Sequence, residues 1–523
     1  MSTSNRKENI QSPPLKVSRL SSLQPRLLDD CLPPAAPPHP KSEDVDGGGG
    51  NNSKPAPSLI NLLRGWPNPS LLAVEQLKRA TGTVLEDKKV WIPGLEYAPD
   101  PGFVPLRGRI AEWTAKHYGQ KTSADEICIT GGASQSLANI LLSFTDPGVT
   151  RAVWMAAPCY FLACPIFEDA GLGERMRAVP EDDEGVDVEV LRKLMREFEA
   201  NGSEIEYKPT RNPYPHRKHY RHLIYLVPTF SNPSGKTMGL KSRRALVELA
   251  REFDALLVCD DVYDFLQWPV LDQVPAADAP VELPNEMLPR LSDIDISLGR
   301  SQHSTPEKNF GHAVSNGSFS KLAGPGVRTG WVHGTPDFVV GLSQTGATRS
   351  GGAPSQFSAI VMDEMLRNGD LDKHLSETVR PALQRRHALI TKLIREELEA
   401  GYGCKLVEQE NEGKEGGDAI KLFGGYFVWI KLPEGVKASE VAQAAKKEGN
   451  LIVAEGPLFE VAGDEDAAKF DGFLRLSFAW EEEEGLVEGV KRLSAVLKRV
   501  VAGEKPVKGL DGAAEDGNES EYK

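Results

Sequence analysis

The sequence is poor in cysteine and has no Cys-x-x-Cys pair: six cysteines, Cys31, Cys128, Cys159, Cys164, Cys259 and Cys404, are spread over 523 residues. Several sit in apolar runs, so they read as reduced, buried thiols in a reducing compartment, which points to the cytoplasm. Positive charge is not in excess. Lys and Arg number 61 against 75 Asp and Glu, a net charge of −14, so no nucleic-acid footprint is expected. Long hydrophobic runs are missing too. The longest uncharged run, Ile127 to Thr145, contains Gly131, Gly132 and the polar Ser134, Gln135 and Asn139. The more apolar run from Ala152 to Phe167 is broken by Pro158 and Pro165, and it falls short of the roughly 20 residues of a spanning helix. No membrane partner is expected. No apolar segment opens the chain, so secretion is not expected either. No internal repeat is visible.

What is present divides the chain into parts. Residues 1–57 are rich in Ser, Pro and Gly, with Gly47 to Gly50 followed by two Asn, and read as a disordered tail. The basic bias of the first 28 residues comes without an amphipathic stripe, and mitochondrial targeting stays open. Residues 503–523 read as a second loose tail. Between them, apolar strands alternate with helices. Glu126 to Thr130 leads through Gly131–Gly132 into a helix with Leu137, Ile140, Leu141 and Phe144 on one face. Further strands are expected at Ala152 to Ala157, Leu223 to Thr229, Leu256 to Cys259, and near 313–320 and 328–334. This rhythm argues for an α/β fold, a mostly parallel open sheet with helices on both faces. Residues 58–100 read as an N-terminal arm and 101–345 as the large domain, with polar insertions near 201–221 and 272–312. After about 345 the rhythm changes to a long helix near 377–400. Strands follow at Ala419 to Phe423, Tyr426 to Leu432, Leu451 to Ala454 and Phe473 to Phe478, then a last helix through Leu486 and Val500. That reads as a smaller α+β domain over 346–502.

In an open α/β sheet, ligands bind beyond the strand ends. The polar residues there are Gly131 to Gln135, Pro158 to Tyr160, Asn232 to Gly235, Asp260 to Tyr263, Ser318 to Lys321, and Arg328. Each is weak alone. Together, in this order and spacing, they resemble the class I/II aminotransferases, fold-type I enzymes dependent on pyridoxal phosphate. The strongest segments are 231–237 (SNPSGKT), 258–266 (VCDDVYDFL) and 318–331 (SFSKLAGPGVRTGW). The likeness extends over about 58–500 and is nearest to the aminoadipate, kynurenine and valine-pyruvate subgroup.

The resemblance implies a role for each residue, and elementary chemistry agrees with several. Lys321 lies in a polar, Gly-rich segment, where a desolvated lysine near cations forms a Schiff base with the cofactor aldehyde. Asp260 closes an apolar strand and would be an expensive buried carboxylate without a cation such as the pyridinium nitrogen. On the family pattern the acid stands three residues before the tyrosine, which selects Asp260 over Asp261. Tyr263 and Asn232 are expected on the ring's phenolic oxygen, with Asn232 also beside the substrate. Ser318 and Arg328 are expected on the phosphate. Gly132, Ala133 and Ser134 join them as a Gly-rich turn at a helix start, which suits an anion. The family usually carries a Ser-Gln or Ser-Ala pair where Ala133–Ser134 stand. Tyr160 matches the aromatic stacked on the ring. Tyr97 matches a tyrosine that crosses to the phosphate of a partner copy, which implies a homodimer with shared sites. Arg475, in the strand Phe473 to Phe478, matches the arginine that grips the α-carboxylate with its planar fork. Gly65 matches a glycine whose backbone lies beside the substrate.

The implied reaction moves an amino group from an L-amino acid to a 2-oxo acid, with Lys321 holding the cofactor as an aldimine and ping-pong kinetics. A lyase acting by β-elimination or decarboxylation uses the same residues and stays open. A non-catalytic ligand sensor would need a basic DNA-binding segment, which 1–57 is too Pro- and Gly-rich to supply. The motifs hold cofactor and α-carboxylate, parts common to all substrates, so the donor side chain is not specified. Glu481 to Glu484 read as a solvated helix start, and His216, His219 and His222 as a solvated loop trio; no metal site is expected. Gly324 to Gly326 reads as a turn.

Overall fold

The computed structural model describes residues 58–504, except 202–208, 211–213, 272, 276–278, 284–286 and 410–420. The expected tails at 1–57 and 505–523, Cys31, and parts of both expected insertions lie outside the described residues.

Eight strands form the main sheet: β1 Ile127–Thr130, β2 Ala152–Ala157, β3 Met176–Asp182, β4 Gly185–Val186, β5 His222–Leu226, β6 Ala255–Asp260, β7 Ala313–Ser318 and β8 Gly330–His333. Their spatial order is β1-β8-β7-β6-β5-β2-β3-β4. β7, β6, β5, β2 and β3 run parallel, while β8 is antiparallel to both its neighbours and β4 turns back on β3. The apolar strands are continuous because both faces are covered. Val153, Met155, Leu223, Leu256 and Val258 pack with Leu137, Ile140 and Phe144 of helix α1 (Ala133–Phe144). The alternate residues, Trp154, Ile224, Leu226 and Leu257, pack with Leu191 and Met195 of helix Val188–Asn201 and with Leu246 and Leu249 of helix Leu240–Glu252. A two-residue period along each strand feeds two cores.

The later part carries a four-stranded antiparallel sheet of β9 Lys405–Leu406, β10 Phe427–Lys431, β11 Ala454–Glu455 and β12 Phe473–Ser477, in the order β9-β10-β12-β11. Three details depart from expectation. The strand expected over Leu451 to Ala454 is split: Leu451–Ile452 pairs parallel with Ile60–Asn61, and only Ala454–Glu455 joins β12. The strand expected to reach Thr229 ends at Leu226, two residues before Pro228, which has no amide to donate. The helix expected over 377–400 is α-helical only over Arg380–Leu393 and is flanked by wider turns at Leu375–Val379 and Ile394–Glu399.

Of the groups read as solvated, His222 is not, whereas at the acidic helix start Glu482 and Glu484 are exposed and Glu481 and Glu483 are half-buried. His222 is wholly buried in β5, between Glu199 Oε1 at 2.9 Å and the indole of Trp154 at 3.4 Å. Glu481 accepts the Asn61 amide at 2.7 Å, Arg386 donates to Glu482 at 2.8 Å, and Arg385 donates to Glu483 at 2.5 Å. These contacts fasten the start of helix Glu483–Val501 to other parts of the chain. Within 272–312, helix Leu291–Ser297 buries Leu291 and Ile294 in the core. Among the described residues, no helix is long and apolar enough to cross a membrane, and no cluster of His, Cys, Asp and Glu could hold a metal.

Candidate active site

A cavity of about 230 Å³ opens where the parallel strands end. Every sequence-predicted site residue lines it except Gly132 and Tyr97. β6 ends at Asp260 and delivers Tyr263 three residues on; the turn after β5 delivers Asn232; the turn after β2 delivers Tyr160. β7 ends at Ser318 and passes into a 3-10 turn, Phe319–Lys321, that places Lys321 at the cavity. Arg475 arrives from the second sheet, on β12, and Gly65 from the segment before the first helix.

Lys321 Nζ donates to the Gly65 carbonyl at 2.7 Å and lies 5.0 Å from the ring centre of Tyr426. Burial pulls its ammonium down to about 8, opposed by Asp260 and reinforced by Arg475. Asp260 is only 8% exposed. Burial pushes its carboxyl up to about 6, against a hydrogen bond from Tyr225 and the charge of Lys321. Tyr225 Oη donates to Asp260 Oδ2 at 3.0 Å, whereas buried Oδ1 has no partner among the described residues. Asp261, its neighbour, has both oxygens buried without a partner among the described residues and does not line the cavity.

Arg475 is buried, its guanidinium 3.9 Å from the Phe427 ring centre and 4.8 Å from that of Phe459. Nη1 donates to Asn232 Oδ1 at 2.8 Å and Nη2 to the Leu63 carbonyl at 2.5 Å; Nε has no partner among the described residues. Burial pulls the guanidinium down to about 10, against the phenols of Tyr263 and Tyr160. Burial pushes the Tyr160 phenol up to about 12, with Asp260 adding to the rise, and it pushes the buried Tyr263 phenol well above its ordinary value.

The far end of the cavity gathers groups that could hold an anion. Gly132 caps α1 at φ 102°, a conformation that favours glycine, and a Cβ there would push on Arg328 Nη2 at 2.7 Å. The amides of Ala133 and Ser134 belong to the first turn of α1, which has no earlier turn to donate to. Arg328, itself left-handed at φ 47°, donates to the Gly131 carbonyl at 2.7 Å and to Ser320 Oγ at 3.4 Å. Ser318 Oγ accepts the Ser320 amide at 3.1 Å and donates to Ser320 Oγ at 2.9 Å. Gln135 folds back to accept the Gly131 amide at 2.7 Å.

Sequence reasoning missed Ser320, Tyr225 and Tyr426. Ser320 could have been found in the polar segment before Lys321, and Tyr225 as the lone phenol in an apolar strand. Tyr426 carries no local signal. Tyr97 stands apart, 81% exposed beyond helix Lys88–Leu95.

A buried carboxylate oxygen awaiting a cation, an amine softened beside it, and an anion cradle at a helix start fit pyridoxal phosphate. Fold and site together define a pyridoxal-phosphate enzyme of fold-type I. The chain belongs to the family "Aminotransferase class I and II", whose model matches residues 93–493. It is similar to an uncharacterized protein of Saccharomyces cerevisiae, 32% identical over 458 residues, covering 84% of this chain and 97% of that one. Aromatic-amino-acid aminotransferase 1 of Thermococcus litoralis is 29% identical over 443 residues, 84% of this chain and 88% of that protein. An uncharacterized HTH-type transcriptional regulator of Bacillus subtilis is 25% identical over 452 residues, 86% of this chain and 77% of the regulator. Among solved structures, the kynurenine aminotransferase of Pyrococcus horikoshii matches with a TM-score of 0.65 and 26% identity, over 84% of this chain and 91% of that one. The chain is thus a pyridoxal-phosphate-dependent transaminase. The relatives above that are named for an enzymatic activity are aminotransferases, which favours amino-group transfer over β-elimination or decarboxylation.

Proposed function

We propose that this site transfers an amino group from an L-amino acid with a large apolar or aromatic side chain to a 2-oxo acid, with double-displacement kinetics. The observation that carries the reading is that Lys321 and Asp260 line one cavity, with Asp260 Oδ1 buried and unpartnered among the described residues. When bound, the cofactor supplies a conjugated ring that accepts the electrons of the substrate's Cα–H bond. Asp260 holds a proton at the ring nitrogen, which keeps that ring electron-poor. Lys321, with an amine near 8, would hold the cofactor through its aldehyde carbon and, once a substrate amine displaces it, would take the proton from Cα and deliver it to the cofactor's C4′ carbon. Tyr263 and the amide nitrogen of Asn232 serve the phenolic oxygen. Arg475, desolvated and locked by Asn232 and Leu63, presents its fork to the α-carboxylate. Ser318, Arg328, Gly132, Ala133 and Ser134 hold the phosphate, and Tyr160 covers the ring. Leu63, Trp66, Phe161, Leu162 and Phe427 give the cavity apolar walls, which support the donor class.

Four further readings belong to the proposal. Residues 101–345 form a large cofactor-binding domain, 346–502 a small one, and 58–100 an arm. The enzyme is a homodimer, with Tyr97 completing the partner's phosphate cradle; exposed Ile92, Leu95 and Val104 near it support that face. Its partners are small-molecule amino and oxo acids rather than nucleic acid. It works in amino-acid metabolism and biosynthesis in the cytoplasm, which the five buried, free cysteines among the described residues support.

The test is a panel of amino donors with 2-oxoglutarate or pyruvate, read as oxo-acid formation. Phenylalanine and leucine should outpace aspartate and glutamate by kcat/KM. Ammonia and pyruvate released from serine without an acceptor would overturn the transfer reading.

A further inference from the structure

Tyr225 and Asp260 come from neighbouring parallel strands. β5 and β6 pair with Tyr225 opposite Val258, so Asp260, two residues on, projects from the same face as Val258. The phenol reaches diagonally across and donates to Oδ2 at 3.0 Å. Tyr225 is 2% exposed, and its ring is held edge-on by Phe167, with centroids 5.8 Å apart and planes at 73°. The donor therefore has little freedom to swing away. The two carboxylate oxygens differ sharply: Oδ2 is tied, and Oδ1 has no partner among the described residues.

A carboxylate turns easily about its last torsion, which is broad and two-fold. In a dry site, nothing but specific contacts can fix its plane. We propose that Tyr225 is a positioning residue: by holding Oδ2 it fixes the Asp260 carboxylate so that Oδ1 faces the cofactor's ring nitrogen. The inference rests on the reading of Asp260 as the partner of that nitrogen. A hydrogen bond to the charged form also offsets part of the burial cost of the carboxylate. Burial and the neighbouring carboxylate hold the phenol proton in place, so Tyr225 acts as a donor and not as an acid.

Tyr225→Phe keeps the ring against Phe167 and removes only the hydroxyl. The apo variant and wild type are titrated with two probes, pyridoxal phosphate and its 1-deaza analogue, in which a C–H replaces the ring nitrogen. Tyr225→Phe should bind pyridoxal phosphate roughly 10- to 100-fold more weakly, the scale of a hydrogen bond to a charged group. It should bind the deaza analogue within about threefold of wild type, because positioning Oδ1 matters only where there is a nitrogen to meet. Asp260→Asn is run beside it. A selective loss in Asp260→Asn with an equal loss of both probes, or no loss, in Tyr225→Phe overturns the role of Tyr225 alone. A non-selective loss in Asp260→Asn overturns the reading of Asp260 and this inference with it. Selective losses in both variants establish the pair.

Discussion

Lys321 Nζ donates to the main-chain carbonyl of Gly65 at 2.7 Å, joining residues 256 positions apart in the chain. The carbonyl is a neutral acceptor, so it orients the amine without adding charge, and burial is left to set the amine's acidity. Covalent capture of pyridoxal phosphate by the apoenzyme should therefore accelerate with pH through about 8, as the Lys321 ammonium loses its proton. The rate of borohydride-trapped labelling against pH gives the midpoint. A rise delayed until near 10.5, the ordinary lysine value, contradicts a desolvated Lys321.

Arg475 is held by two hydrogen bonds and two aromatic faces. Lysine cannot reproduce that fork. Arg475→Lys should lower kcat/KM for every amino donor by about 100-fold, mostly through KM, as expected when a buried charge-assisted contact worth 2–5 kcal/mol is lost. Cofactor affinity should stay close to wild type. An unchanged KM would remove Arg475 from the carboxylate site.

Gly132→Ala places a methyl 2.7 Å from Arg328 Nη2, at a φ of 102° that side chains avoid. The strain should cost about 1–3 kcal/mol of stability. It should also weaken binding of inorganic phosphate and pyridoxal phosphate together, measured by calorimetry on the apoenzyme. Binding of unphosphorylated pyridoxal should change much less.

Asp260 sets up a conflict between stability and function. Its folded-state value is raised from 3.8 to about 6, so the fold prefers the protonated acid. Its contribution is intact below about pH 4 and is lost as pH rises through about 6. The apoenzyme of Asp260→Asn, which carries no such charge, should be more stable than wild type at pH 7–8 by up to roughly 2–3 kcal/mol. It should show no advantage near pH 4. Denaturant melts of both apoproteins across that range test the sign. Transaminase activity should fall sharply in the same variant.

Much of this arrangement is written locally in the chain. β2 was legible at both ends because Ala152 to Ala157 is buried on both faces and bounded by Arg151 and Pro158. An acid closing an apolar strand was legible as one that needs a partner, and the family resemblance selected Asp260 over Asp261. The unread parts depend on contacts between distant segments. The hold of Tyr225 on Asp260 follows from the register of β5 on β6, which no spacing within either strand reveals. His222 looked like part of a polar loop because its partner Glu199 lies on the preceding helix, in a different segment. The split at Val453 arises because Leu451–Ile452 finds a partner in Ile60–Asn61, far away in sequence. Glu481 had no visible reason to be held in place until Asn61 met it.

Lys321 is the residue proposed to join the cofactor. The most direct measurement is to reduce the holoenzyme with borohydride, digest it, and locate the pyridoxyl-lysine by mass spectrometry. A single modified peptide containing Lys321 is expected, absent when Lys321→Ala is treated alike. Label on a different lysine, or unchanged labelling in Lys321→Ala, would contradict it.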